Sequence, residues 1–192
     1  MRGMAMIDIL EIKYAAEGLT KGELDDIWDI MCDCNREFVP PLSSRNSPTQ
    51  SNLLTGRDDT QTDVDDKPYV YFEEIRKQHF ILAEIEGKVI GFLTFKTDHM
   101  CDALQDFGVS NYITTVCIDK KYRKQGILSR LYEHMENKLP DSIHCSKVST
   151  RTWSQNDAHA GFLLKRGYTL LKTLPDDRGP GIDTLYFGAK LK

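Results

Sequence analysis

The sequence predicts a single α/β domain over residues 1–192, a mixed sheet with helices packed on its faces. Three observations lead there. A chain of 192 residues with 40% apolar side chains suits one core of ordinary size. Apolar residues recur with period two in some stretches and at helical spacing in others, so strands and helices are interleaved. Their order is strand, two helices, three strands, helix, strand, helix and two strands, which suits a sheet covered on its faces.

The elements follow from local chemistry. Asp8 to Tyr14 alternates around Ile9, Leu10 and Ile12 and reads as a strand. Thr20-Lys-Gly-Glu23 has the capping-box form, in which the threonine hydroxyl and the glutamate satisfy each other's backbone N–H groups. The helix it opens carries Leu24, Ile27, Trp28, Met31 and Phe38 on one face and is expected to end at Pro40-Pro41. Residues 42–67 are rich in Ser, Asn, Thr, Gln and Asp and predict a long mobile loop. Pro68 suits the first turn of a second helix running to about Gln78. His79–Glu86 and Val89–Phe95 flank a Glu86-Gly87 turn and read as a hairpin, with Gly91 marking a bulge or a close backbone approach.

Tyr112 to Ile118 is dense in β-branched and aromatic residues, a further strand. Beyond a basic turn, Leu128, Leu131, Tyr132, Met135 and Leu139 keep helical spacing. Ile143–Trp153 predicts a strand, and Ser154-Gln-Asn156 a cap for a short helix that Gly167 closes. Tyr168–Leu174 and Thr184–Leu191 are the last two strands.

The stretch with chemistry in it is the turn between Ile118 and Leu128. Lys120, Lys121, Arg123 and Lys124 place cationic side chains beside a helix N-terminus, where backbone N–H groups lack internal partners. Gly126 lets a ligand approach that backbone closely. Such a turn suits an anion, although a basic connection of this kind also serves simply as a solvated loop.

Arg123-x-x-Gly126-x-Leu128, directly after a strand ending Val116-Cys117-Ile118, resembles the acyl-CoA-binding motif of the GCN5-related N-acetyltransferase (GNAT) superfamily, written Gln/Arg-x-x-Gly-x-Gly/Ala. Leu128 stands where that family prefers a small residue. Asn156, Gly167 and Tyr168 match a second motif of the same family, but Leu163 occupies the position of its usual tyrosine. The resemblance implies the acyl-CoA N-acyltransferase-like fold, with a mostly antiparallel mixed sheet. It also implies transfer of an acetyl group from acetyl-CoA to an amine, by direct attack within a ternary complex. Val116, Cys117 and Ile118 would line the pantetheine arm and supply a backbone N–H to the oxyanion. Arg123, Lys124, Gln125, Gly126, Ile127, Leu128 and Ser129 would hold the pyrophosphate, and Asn156 would hydrogen-bond the pantetheine.

With the family tyrosine absent, His159 becomes the local candidate for proton donor to the departing thiolate, because it shares a helix face with Asn156 and Leu163. The rival reading has it only lining the pocket. No general base stands out; Glu73, Glu74, Asp98 and His99 are chemically able. Asp63, Asp65, Asp66, Asp176, Asp177 and Asp183 fall in the expected acceptor region and could attract a cationic amine.

Two other functions compete: a non-catalytic acyl-CoA-binding regulatory module, and a phosphate-binding domain unrelated to CoA. The net charge of −4 and pI near 5.7 argue against a nucleic-acid surface. No apolar run approaches a membrane span, and five cysteines without a signal peptide suggest reduced thiols in the cytoplasm. Cys32-x-Cys34 points two thiols apart on a helix, so no metal site is expected. The acceptor is a small-molecule or peptide amine, and the protein a monomer or homodimer.

Overall fold

The computed structural model describes residues 9–49 and 66–191. Most of the predicted 42–67 loop, with Asp63 and Asp65, lies outside the described residues. Seven strands form one sheet: β1 (Leu10–Tyr14), β2 (His79–Ile85), β3 (Lys88–His99), β4 (Ser110–Ile118), β5 (Lys147–Trp153), β6 (Thr169–Leu174) and β7 (Thr184–Lys190). Their order is β1-β2-β3-β4-β5-β7-β6, and β4 with β5 is the parallel pair among otherwise antiparallel neighbours. The helices are α1 (Lys21–Cys34), α2 (Tyr69–Ile75), α3 (Ile127–Asn137) and α4 (Asp157–Lys165). The predicted element order is the observed one, and the sheet is mixed and mostly antiparallel.

Each face of the sheet buries its own apolar cluster. Ile27, Met31, Tyr71 and Ile75 of α1 and α2 pack against Phe80, Leu82, Phe92 and Cys117. Leu131, Tyr132 and Met135 of α3 pack with Leu163 of α4 against Ile81, Ile113 and Val148. No helix among the described residues is long and apolar enough to cross a membrane.

Several boundaries differ from the sequence reading, and side chains from elsewhere in the chain engage the residues at those ends. Helix α1 stops at Cys34 instead of continuing to Phe38. The Asn35 side chain accepts from the Ser43 N–H at 2.8 Å and donates to the Asp66 carbonyl at 2.8 Å, an arrangement that competes with helical continuation. Phe38 is therefore extended and leaves the helix face. Helix α2 ends at Ile75, and Gln78 turns its Oε1 to the hydroxyls of Thr94 and Thr114. Strand β5 begins at Lys147, because the Ile143 carbonyl is taken by the Asn111 side chain at 2.8 Å. The bulge expected at Gly91 is present: Ala83 pairs with Gly91 while Glu84 pairs with Val89. A Cβ at Gly91 would lie 3.2 Å from the Cys117 carbonyl oxygen, so the close approach is real as well.

The capping box forms as the sequence requires, with the Thr20 N–H donating to Glu23 Oε2 at 2.6 Å and the Glu23 N–H to Thr20 Oγ1 at 3.3 Å. Lys13 of β1 then bridges Glu23 and Glu84, at 2.9 Å each. Burial raises the Glu23 pKa, but the hydrogen bonds from Lys13 and Thr20 outweigh it and bring the carboxyl down to about 2 from an ordinary 4.5. A carboxyl depressed by folding adds stability above its unfolded pKa and loses it as the pH falls toward the folded one. Glu23→Gln is expected to cost about 1–3 kcal/mol at pH 7 in urea unfolding. The gap to the unsubstituted protein should narrow between pH 4.5 and 2; a constant gap across that window would contradict this account.

Candidate active site

Strands β4 and β5 run parallel, but they pair only through Asn111↔Val148, Tyr112↔Ser149 and Ile113↔Thr150. Beyond that point they part. Against β3, Ile113 pairs with Phe95 and Thr115 with Thr94, which leaves Thr114 as an extra residue that bends β4. Thr114 Oγ1 is fixed by Gln78 and by Thr94 at 2.6 Å. Thr150 Oγ1 donates to the Ile113 carbonyl at 3.2 Å and closes the last paired rung. A cavity of about 480 Å³ fills the wedge, bounded by Ile113–Ile118 on one side and Thr150–Trp153 on the other. The edge of β4 that faces β5 lies open along it.

The basic turn forms the mouth. Asp119 accepts from the Lys121 N–H at 2.9 Å, and Gly126 sits at φ +80° as the N-cap of α3, with no side-chain cap on the helix. Gly126, Ile127, Leu128 and Lys124 line the cavity. Ile127 takes the buried seat of the helix stripe while Leu128 is half-buried on the cavity wall. Arg123 lines the cavity too, but its guanidinium is engaged by the protein. Its Nε donates to the Ile118 carbonyl at 3.0 Å, one Nη lies 2.9 Å from Glu37, and the other is 3.2 Å from Cys34 Sγ. The Cys117 hydrogen bond and the Arg123 charge hold the Cys34 thiol below its usual pKa, whereas Cys117, hydrogen-bonded to Cys34 and buried, is pushed up. All five cysteines are free thiols.

Helix α4 supplies a second wall. Asn156 is its N-cap, and its Oδ1 accepts from the His159 N–H at 3.3 Å. His159 lines the cavity with Nε2 3.0 Å from the Tyr132 hydroxyl. Burial drives its pKa down from 6.5 to about 4, so the ring is neutral at pH 7. Leu163 is fully buried in the core beneath α3 and α4, away from the cavity. Thr152 lines the cavity with its Oγ1 buried and without a hydrogen-bond partner among the described residues.

The wall on the α1 and α2 side was not legible beforehand. Phe38, Arg151 and Trp153 line it, with Phe38 and Trp153 ring centroids 5.8 Å apart. Tyr71, fully buried on α2, reaches Thr115 Oγ1 at 2.8 Å. The signal for part of this was present: in Thr150-Arg-Thr-Trp153, strand alternation puts Arg151 and Trp153 on the face opposite the two threonines. The chemically able bases lie elsewhere. Glu73 pairs with Arg76 and Glu74 with Lys77 on the exposed face of α2, Asp98 is exposed, and His99 lies against the Tyr112 ring.

The sequence profile of the acetyltransferase (GNAT) family matches residues 49–168, more than half of the chain, and the chain belongs to that family. It is an N-acetyltransferase with acetyl-CoA as co-substrate. Among solved structures, an N-acetyltransferase from Staphylococcus aureus Mu50 is 17% identical, with 95% of this chain and 99% of that one covered and a TM-score of 0.60. NAA60 of Arabidopsis thaliana, in complex with a bisubstrate analogue, is 16% identical, with 95% and 99% covered and a TM-score of 0.59. The yncA protein of Salmonella typhimurium, with its cofactor acetyl-CoA, is 16% identical, with 96% and 95% covered and a TM-score of 0.57. At these identities the likeness is one of fold. No curated protein sequence matches at a significant level.

A neutral His159 is directly observable. Its imidazole should titrate near pH 4 by NMR, well below the 6.5 of an exposed histidine. Replacing Tyr132 by Phe removes the hydroxyl but not the burial, so the midpoint should stay far below 6.5 in that variant; a midpoint above 6 in either protein would refute the burial argument.

Proposed function

We propose that the wedge between β4 and β5 receives the acetylated pantetheine arm, with the pyrophosphate at the N-terminus of α3 and the amine entering from the α1 and α2 side. The parting of the strands after Ile113 and Thr150 carries this reading, because it is the feature that opens a backbone edge inside the fold. The orphaned Thr152 Oγ1 on the same cavity fits it, since a buried hydroxyl without a partner is costly unless a ligand supplies one. When bound, acetyl-CoA supplies a thioester whose acetyl group passes to the amine.

The residues present divide the work. The open edge of Val116, Cys117 and Ile118 offers backbone donors and acceptors to the amides of the arm, and one N–H there meets the oxygen as it becomes anionic. Gly126 presents the amides of Ile127, Leu128 and Ser129 to the phosphates. Lys120, Lys121 and Lys124 add positive charge, and Gln125 stands beside them. Arg123 acts differently from the cation that the motif implies. Held by Glu37 and the Ile118 carbonyl, it braces the turn against the end of α1. Asn156 serves the arm from α4.

His159 is assigned a hydrogen-bonding role on the wall. At a pKa of about 4, only roughly one imidazole in a thousand is protonated at pH 7, too few for an efficient acid. Glu37 is the carboxylate lining the cavity, and it is engaged by Arg123 and Lys120. The amine therefore reacts as the free base delivered from solvent, and its second proton leaves through water to the departing thiolate once the C–S bond breaks.

The measurements are calorimetry with acetyl-CoA and thiol release with amines. Gly126→Val should weaken acetyl-CoA binding by roughly tenfold or more, because a branched side chain is strained at φ +80° and stands before the helix amides. Absence of any binding heat at millimolar acetyl-CoA would remove the assignment. For turnover, kcat/KM should rise with pH toward the pKa of the amine, about 10.4 for a lysine-like group. His159→Ala should lower the rate without moving that profile; a profile that shifts would restore His159 as the proton donor.

A further inference from the structure

Three arginines from separate parts of the chain converge behind the acceptor wall: Arg45 after α1, Arg151 on β5 and Arg178 between β6 and β7. Arg45 Nη2 and Arg178 Nη1 donate to the same carbonyl, that of Val39, at 3.0 and 2.6 Å. Arg45 lies 5.5 Å from the Phe38 ring centroid and Arg178 5.5 Å from that of Trp153. Those two rings line the cavity, as does Arg151, whose Nη2 donates to the Pro48 carbonyl at 2.9 Å. Arg45 is 5% exposed and Arg178 7%. Guanidinium groups are seldom buried as deeply as those of Arg45 and Arg178, and with the half-buried Arg151 beside them they raise the local positive potential where water screens it little. Burial, with the charges of Arg45 and Arg151, pushes Arg178 down to about 9.

Of the acidic side chains expected to attract a cationic amine, Asp63 and Asp65 lie outside the described residues, and the other four are each engaged by protein groups. Asp66 is paired with Arg36 and Ser43. Asp176 accepts from the Gly181 N–H, Asp183 from the Asp176 N–H, and Asp177 from Thr184, whose hydroxyl in turn accepts from Arg178. Asp176 and Asp183 shape the β6–β7 connection, Asp177 is buried close enough to Arg178 to offset part of its charge, and none of the four lines the cavity.

Resting on the function proposed above, we infer that the acceptor is a small amine carrying its own oxyanion, a carboxylate or a phosphate, which Arg151 receives with Arg45 and Arg178 behind it. A cavity of about 480 Å³ that must also take the acetylated arm leaves room for a small molecule only. Phe38 and Trp153 flank its carbon skeleton. The oxyanion is then steered to the arginines, which turns the amine end toward the wedge.

The test compares amines that differ only in the anion: phenylalanine with phenylalaninamide, and O-phosphoethanolamine with ethanolamine, with spermidine as the polycation. Rates are compared per unprotonated amine. At least one anionic member should exceed its neutral partner by about tenfold or more in kcat/KM, and which pair responds distinguishes carboxylate from phosphate. Arg151→Gln should abolish the preference through KM, and Arg151→Lys should restore part of it. Calorimetry of the same pairs into the CoA complex should show heat for the anionic member alone. Spermidine or a neutral amine matching the anions, or neither anion binding while acetyl-CoA does, overturns the inference and leaves the wedge assignment standing. Failure of acetyl-CoA itself to bind overturns both.

Discussion

The rest of the site depends on one irregular residue in β4. A parallel pair of strands would normally continue its ladder and bury both edges, but Thr114 is inserted opposite the Thr94/Phe95 step and β4 bends away from β5. An opened ladder leaves backbone polar groups to be satisfied by something other than protein, which costs stability unless a ligand or water takes them. The cost is met by unusually firm anchoring of the bend. Gln78 and Thr94 hold the Thr114 hydroxyl, Thr150 caps the Ile113 carbonyl, and Tyr71 ties Thr115 to α2. Rigid elements on both faces thus hold open a gap that the sheet would otherwise close.

The fold was legible because its determinants are local. Capping at Thr20 and Asn156, the breaks at Gly87 and Gly167, and the alternation of β2 and β3 each state their own conformation. Errors arose where a side chain from far away overrode the local pattern. Asn35 ends α1 by binding Ser43 and Asp66, and that moved Phe38 from an expected helix face to a cavity wall. Half of the candidate site was legible for the same reason. Gly126, Asn156 and the end of β4 lie in contiguous motifs, whereas Tyr71, Arg45 and Arg178 meet only through tertiary contacts that no spacing announces.

The two substitutions at family positions have different physical meanings. Leu163 is wholly within the core, so a tyrosine placed there would need to bring its hydroxyl out toward the cavity or bury it. Tyr132 of α3 is also fully buried, packed edge-on against Phe162 and Tyr168 with its hydroxyl on His159. Leu128 is different, since it is only half-buried and adds an apolar surface at the mouth beside the amides of α3. The first change leaves that helix position wholly to the core. The second narrows the way in without altering the backbone that Gly126 sets.

Charge on the cavity is arranged so that the two ends do not compete. At the mouth, Glu37 offsets Arg123 and Lys120, so the positive field there comes from helix amides and exposed lysines and is screened by solvent. Behind the acceptor wall the guanidinium groups are buried against rings and carbonyls, where screening is weak. Because Arg123 contacts Cys34 at the end of α1 and Glu37 next to Phe38, the contacts that brace the mouth also anchor the segment carrying Phe38, which packs on Trp153. Geometry at one end of the wedge is in this way fixed by packing at the other, without a charge shared between them.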